Sequence, residues 1–376
     1  MEQYRKFFPI FEKTAYINSC SYGALSVQVE AAYHEYLSDR HTKGADWMGW
    51  VDRHERVRGL FAELVCADSD EIAVTTSASA AMTSVASSLD FSGVRNKIVT
   101  TDLAFPTEAQ IWHAQSARGA QVVHAREQGG VLDLQHFASL VDEETLLVAV
   151  PLVCYRNGAL TDIRAIVDIA RKAGAMVLVD AYQGLGTLPV DVEKLDVDFL
   201  VGGALKYLLA SGGVGFLYVK ESLHQQLTPT QTGWFAQADI HAMKIHANEP
   251  APNARRFEQG TPPVPNLYAA EAGLRLLLNA GVAETRQHVL ALNAILKDAV
   301  LEMGGALASP INSDAHGAMV AVKTIDEYEL VSRLAKRDIV TSCRDGNLRV
   351  SAHFYNNEDD IAAVVSGLKD NKELLA

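Results

Sequence analysis

The stretch Val177-Leu178-Val179-Asp180-Ala181-Tyr182-Gln183-Gly184 runs apolar without a polar break, then turns on a carboxylate. A run of that kind suits a strand covered on both faces. In open α/β sheets, ligands sit outside the carboxyl ends of the strands, which is where Asp180 falls. An aspartate there also caps turns, so its meaning depends on the surrounding chain. Similar apolar runs occur at 72–75, 97–101, 121–124, 146–151, 199–201 and 215–219. Between them lie stretches of helical period, such as Ile163, Ile166, Val167 and Ala170. Strand-helix alternation of this kind predicts an α/β fold with a mostly parallel seven-stranded sheet between helices.

Composition shifts near residue 250. Glu249-Pro250-Ala251-Pro252-Asn253 and Thr261-Pro262-Pro263-Val264-Pro265 carry loop chemistry that breaks helices. Helical periods resume at 267–278 and near 291–303. The expected division is a large domain over 19–264 and a smaller C-terminal α/β domain over 265–376. Residues 1–18 are expected to pack on the smaller one.

The chain has 376 residues, with 46 Asp and Glu against 33 Lys and Arg, a formal net charge of −13. Such a surface repels nucleic-acid backbones and anionic lipid heads, so neither is expected as a partner. Cys20, Cys66, Cys154 and Cys343 are scattered, with no C-x-x-C pair, which gives neither a zinc template nor a disulfide framework. No apolar run is long enough for a membrane span and the first residues lack a signal-peptide core, so a cytoplasmic protein is expected.

Two further segments carry chemistry. In Phe199-Leu200-Val201-Gly202-Gly203-Ala204-Leu205-Lys206-Tyr207, one lysine stands in an apolar, Gly-rich setting. Desolvation lowers a lysine's pKa and makes it a nucleophile toward aldehydes, although a lysine at an element's end also snorkels to solvent. In Val74-Thr75-Thr76-Ser77-Ala78-Ser79-Ala80-Ala81, a strand runs into small hydroxyl residues and then a helix. That order allows an anion at the helix N-terminus, and equally an ordinary N-cap.

Taken in order, the cup at Ser77, Ala78 and Ser79, the strand-end Asp180 and Lys206, 26 residues later, resemble pyridoxal-5′-phosphate enzymes of fold type I. The text is similar to the class V aminotransferase family, which includes kynureninases, cysteine desulfurases and isopenicillin N epimerases. Tyr155-Arg156-Asn157-Gly158-Ala159-Leu160-Thr161-Asp162-Ile163, Lys206-Tyr207-Leu208, Gly233-Trp234-Phe235 and Gly260-Thr261-Pro262-Pro263-Val264 look most like kynureninases. Leu348-Arg349-Val350-Ser351-Ala352-His353-Phe354-Tyr355-Asn356-Asn357 resembles the epimerase and cysteine-lyase branches.

The resemblance implies pyridoxal 5′-phosphate held on Lys206 as a Schiff base, with the freed lysine moving the α-proton. It implies Asp180 at the pyridine nitrogen, Gln183 at the ring phenolate, and Phe105 stacked over the ring. Desulfurases carry His at that stacking position, so Phe105 speaks against them. Ser77, Ala78 and Ser79 would hold the phosphate, with Thr261 and Trp234 reaching in from a second subunit of a homodimer. Arg349 would receive the substrate α-carboxylate, with Arg344 as a nearby competitor. Asn157 is expected beside the cofactor and Asn18 near the substrate carboxylate.

The implied function is chemistry on the α-amino group of a small amino acid, by transamination or a kynureninase-like cleavage at Cβ. Epimerisation and desulfuration are alternatives, as is a non-catalytic cofactor sensor. Desulfuration needs a mobile cysteine, and Cys343 sits in a short segment before Arg349. His113 and His353 lack ligand-spaced partners and read as structural, with no metal expected. Trp47 and Trp50 fit either a substrate entrance or a core staple.

Overall fold

The computed structural model describes all 376 residues. Its main sheet holds seven strands: β1 (Ile72–Thr75), β2 (Lys97–Thr101), β3 (Gln121–Ala125), β4 (Thr145–Pro151), β5 (Met176–Asp180), β6 (Phe199–Gly203) and β7 (Gly215–Val219). Their spatial order is β1-β7-β6-β5-β4-β2-β3, and only β7 runs antiparallel to its neighbours. All seven expected runs are strands. β6 extends beyond the expected 201 because Gly202 and Gly203 keep pairing with β7.

Strand side chains alternate between two cores, as a period of two requires. Val148, Val150, Val177, Val179, Leu200 and Phe216 face one core. Leu147, Ala149, Leu178, Phe199, Val201 and Leu217 face the other. The first core is covered by α1 (Val27–Thr42) and α2 (Trp47–Val65), and by α5 (Ile163–Lys172). The second is covered by α3 (Ala78–Ser88) and α4 (Pro106–Ala114).

A smaller body holds an antiparallel sheet of β8 (Met319–Lys323), β9 (Ser342–Arg344) and β10 (Asn347–Ser351), in the order β8-β10-β9. It packs against α7 (Val282–Glu302), α8 (Glu327–Ala335) and α9 (Glu358–Lys369). The helix α6 (Val264–Ala280) starts three residues earlier than its apolar period, because Pro265 sits in the first turn, where no N–H partner is needed. It buries Leu267, Ala270, Leu274 and Leu277 in the large core, whereas Val289 and Leu292 of α7 enter the separate small core, which also takes in Ile17, Cys20 and Tyr207. Along the chain the change from one core to the other falls at Gly281, the single residue that ends α6 and starts α7, at φ +81°.

The first residues touch both bodies. Phe8 joins the large core against Tyr355, and Arg5 pairs with Asp360 at 2.7 Å. Residues 15–16 add a parallel strand to 339–340. No helix is long and apolar enough to cross a membrane.

Candidate active site

Five strand ends converge on one cavity of about 260 Å³. After β1 the chain enters α3, capped by Ser77, whose Oγ accepts the Ala80 N–H at 3.0 Å. The Ala78 and Ser79 amides, first in the helix, have no intrahelical acceptor and line the cavity wall with Ser77. The cup lies this close to β7 because Gly215 has no Cβ; one there would stand 2.3 Å from the Ser77 carbonyl carbon.

After β2, Pro106 starts α4 and leaves Phe105 extended at the N-cap, 41 % exposed and in the wall. Its ring meets Tyr155 edge-on at 5.0 Å. Asp180, at the end of β5, is buried and accepts the Tyr182 N–H at 2.9 Å through Oδ1. Burial raises its pKa, against the lowering pull of that N–H and of Lys206. Gln183 also lines the cavity and donates to the Cys20 carbonyl at 3.1 Å.

Lys206 follows β6, with Nζ 4.6 Å from the Tyr182 ring centroid and 5.8 Å from that of Phe105. Burial lowers its pKa; Cys20 and Asp180 pull the other way, and Arg349 and Arg344 add to the lowering. The turn behind it is tight. Leu209 is buried at φ +65°, a conformation that costs a bulky residue about 1–2 kcal/mol, and α6 approaches the Leu208 carbonyl only because residue 273 is glycine.

Glu108 is a cavity residue that the sequence alone did not disclose. It lies one helical turn after Phe105, fully buried, with Thr100 Oγ1 donating to Oε1 at 3.2 Å and Oε2 without a partner. Burial, with Asp180 as a nearby like charge, pushes its carboxyl up to about 8. Its only sequence signal was spacing, three residues beyond the aromatic. Tyr155 and Tyr182 line the wall as well.

Arg349 lies outside that wall, at the mouth. It is 3 % exposed and donates to the Tyr155 carbonyl at 3.0 Å, Ser21 Oγ at 3.1 Å and Ser342 Oγ at 3.0 Å, leaving Nε buried and unpartnered. Asn18 sits in the same turn as Ser21 and bridges to Ser351 beside Arg349. Asn157, expected beside the cofactor, is not in the wall. Its amide is committed to the chain, Nδ2 donating to the Gly130 carbonyl at 2.7 Å and Oδ1 accepting the Ala159 N–H at 3.0 Å.

Trp234 and Thr261 are likewise absent from this chain's own wall. Trp234 donates to the Ile240 carbonyl and packs on Trp47 at 5.3 Å. Thr261 is exposed on a loop beside Thr75, Thr76 and Glu258. Trp50 is a core residue against Tyr268, while Trp47 is 40 % exposed. His353 is fully buried, its Nδ1 accepting the Phe354 N–H and its Nε2 bonded to the Tyr207 carbonyl. His113 stacks on His124 at 5.2 Å.

Cys343 belongs to a strand rather than a mobile loop. It stands opposite Leu348, on the face turned to the small core, away from the face carrying Arg349. Burial raises its thiol pKa, and Glu327 of α8 adds to the rise.

The cavity suits pyridoxal 5′-phosphate on its own chemistry. It offers free helix amides for a phosphate, an aromatic wall for a planar ring, a buried carboxylate for a basic nitrogen and a desolvated amine for an aldehyde. Comparison with known proteins agrees. Residues 24–364 match the family model described as aminotransferase class-V. An uncharacterized aminotransferase of Bacillus subtilis, YcbU, is 36% identical over 96% of this chain and 95% of its own. The kynureninase of Pseudomonas fluorescens is 27% identical over 91% of this chain and 84% of its own. Among solved structures, a cysteine desulfurase from Thermococcus onnurineus shares the fold, with a TM-score of 0.89 at 23% identity, covering 99% of this chain and 98% of that one.

Proposed function

The chain belongs to the class V aminotransferase family and is a pyridoxal-phosphate-dependent enzyme, and on that premise we propose that it acts on the α-amino group of a small amino acid, by transamination or by cleavage at Cβ. The observation that carries this reading is the setting of Lys206, an amine with lowered pKa between two aromatic rings in the cavity that also holds Asp180. Bound there, the cofactor supplies an electron-accepting ring that stabilises negative charge at the substrate's α-carbon.

The chain's own groups do the rest. Lys206 Nζ anchors the cofactor and, when free, takes and returns the α-proton, a task that needs a neutral amine near pH 7. Asp180 presents its charge to the ring nitrogen. Glu108, with its carboxyl at about 8, keeps a proton, so the pair carries one charge rather than two. Gln183 offers an amide donor to the ring's phenolate, and Phe105 orients the ring plane. Ser77, Ala78 and Ser79 receive the phosphate. Arg349 takes the α-carboxylate in its planar fork, held ready by three neutral acceptors and with Nε still to be satisfied.

Incubating holoenzyme with a panel of amino acids tests the reading. Keto acid formation supports transamination, and alanine released without sulfide supports kynureninase-like cleavage at Cβ. Alanine accompanied by sulfide, or an inverted α-carbon, would replace both. The orientation of Cys343 toward the small core weighs against persulfide chemistry.

Thr261 and Trp234 belong to this reading only through a second subunit, which we propose completes each phosphate site in a homodimer. Thr261→Val then weakens cofactor retention by about 1–3 kcal/mol, the loss of one charge-assisted hydrogen bond, without unfolding the chain. A fully active monomer in sedimentation, or unchanged cofactor affinity in that variant, overturns the composite site.

A further inference from the structure

Arg344 shares the face of Arg349. Ser342 stands opposite Arg349 in the β9–β10 ladder, and Arg344 stands opposite Asn347. Residues two apart in a strand point the same way, so Ser342, Arg344, Asn347 and Arg349 share one face while Cys343 and Leu348 take the other. Arg344 and Arg349 are thus diagonal neighbours, with Cα atoms roughly 7–8 Å apart. This is the face that meets Ser21 and the Tyr155 carbonyl at the cavity mouth.

The charge around the two arginines is unusual for a chain of net charge −13. Arg349 bonds only neutral acceptors. The Arg344 side chain is exposed and makes no hydrogen bond or ion pair. The adjacent acid is already engaged, since Asp345 faces Arg156 at 3.3 Å. Two arginines of one sheet face thus lack an ion-pair partner, and both bear as like charges on the Lys206 amine. Like charges so placed repel each other until an anion joins them, and a fork geometry favours carboxylate.

We propose that Arg344 is a second anion receptor, and that the preferred substrate is an amino acid with an anionic side chain. The α-carboxylate goes to Arg349 and the side-chain anion to Arg344. The inference rests on the reading of Arg349 given above.

The test uses holoenzyme and two unreactive probes of equal size, glutarate and its monoamide, with affinities measured by calorimetry. Glutarate should bind about tenfold or more tightly than the monoamide, the worth of one charge-assisted contact. Arg344→Gln should reduce that preference to about threefold or less, and Arg344→Lys should keep part of it. Equal affinity for the two probes in the wild type, or an unchanged preference in Arg344→Gln, overturns the proposal. A parallel panel of aspartate, glutamate and cysteate against alanine, asparagine and glutamine distinguishes the anion that is taken. Failure of the underlying reading looks different: no amino acid in the panel reacts, and Arg349→Lys leaves binding of the monoamide unchanged.

Discussion

The wall of the cavity and the hairpin at its mouth are built by opposite means. The wall is made where β1, β2, β4, β5 and β6 end, so its groups are fixed by a sheet buried on both faces. The mouth is made by side chains of β9 and β10, projecting from a separate core onto the first. On the proposed reading, topology sets the half that holds the cofactor and strand register the half that receives the substrate. A slip of one residue in β9 would turn Cys343 to the mouth and Ser342 and Arg344 to the core. The two halves should therefore fail differently.

The largest effect is expected in the wall. Lys206→Ala should remove turnover altogether, and borohydride should no longer fix the cofactor to the chain, because no other lysine lines the cavity. A reducible adduct at a different residue would move the site. Asp180→Ala should retain some cofactor and lose turnover by several orders of magnitude. Near-normal turnover would mean that the ring nitrogen faces another group.

The mouth should fail in binding. Arg349→Lys keeps the charge and loses the fork, so KM for an amino acid should rise about tenfold or more, with a smaller change in kcat. A fall confined to kcat would place Arg349 in the chemical step instead.

Glu108 sharpens the contrast through pH. Its carboxyl ordinarily titrates near 4.5 and is pushed to about 8 in the folded chain. Between those values the folded state holds a proton that the unfolded state has lost, so this group's contribution to stability falls as pH rises through the window. Glu108→Gln mimics the protonated form and escapes the loss. Urea unfolding of the apoprotein should give matching stabilities near pH 4 and an advantage to the variant on the order of 1 kcal/mol or more at pH 8.5. Parallel curves would mean that Glu108 is ionised throughout. The smallest effect is Cys343→Ser, which should leave product formation intact. A sulfide-releasing wild type silenced by that change would restore the desulfurase alternative.

The strands were legible because each is a short apolar run whose residues feed two cores in alternation, and Asp180 and Lys206 because each interrupts such a run. The core that α6 joins was not. The prolines at 262, 263 and 265 mark a helix start, and a helix start does not say which core the helix will join. Glu108 was missed because an acid in a first turn is ordinary dipole chemistry, and only the fold seals it beneath Thr100 and beside Asp180. Asn157 matched a motif, yet its amide is used to brace Gly130 and Ala159. A motif fixes identity and leaves hydrogen-bond commitments open.

The first twenty residues bind partners more than three hundred positions away: Arg5 with Asp360, Ala15 beside Ile339, and Ser19 with Tyr355 at 2.8 Å. During synthesis these contacts must therefore wait until β9, β10 and α9 have left the ribosome, although the Cys20 carbonyl can meet Gln183 sooner. The seven-stranded sheet closes by Val219 and can form well before then. Arg349, whose guanidinium leans on Ser21 from that early segment, is among the last groups to find its place. A nascent chain should thus acquire its cofactor cavity early and its discrimination among substrates only at the end, when its two distant segments meet.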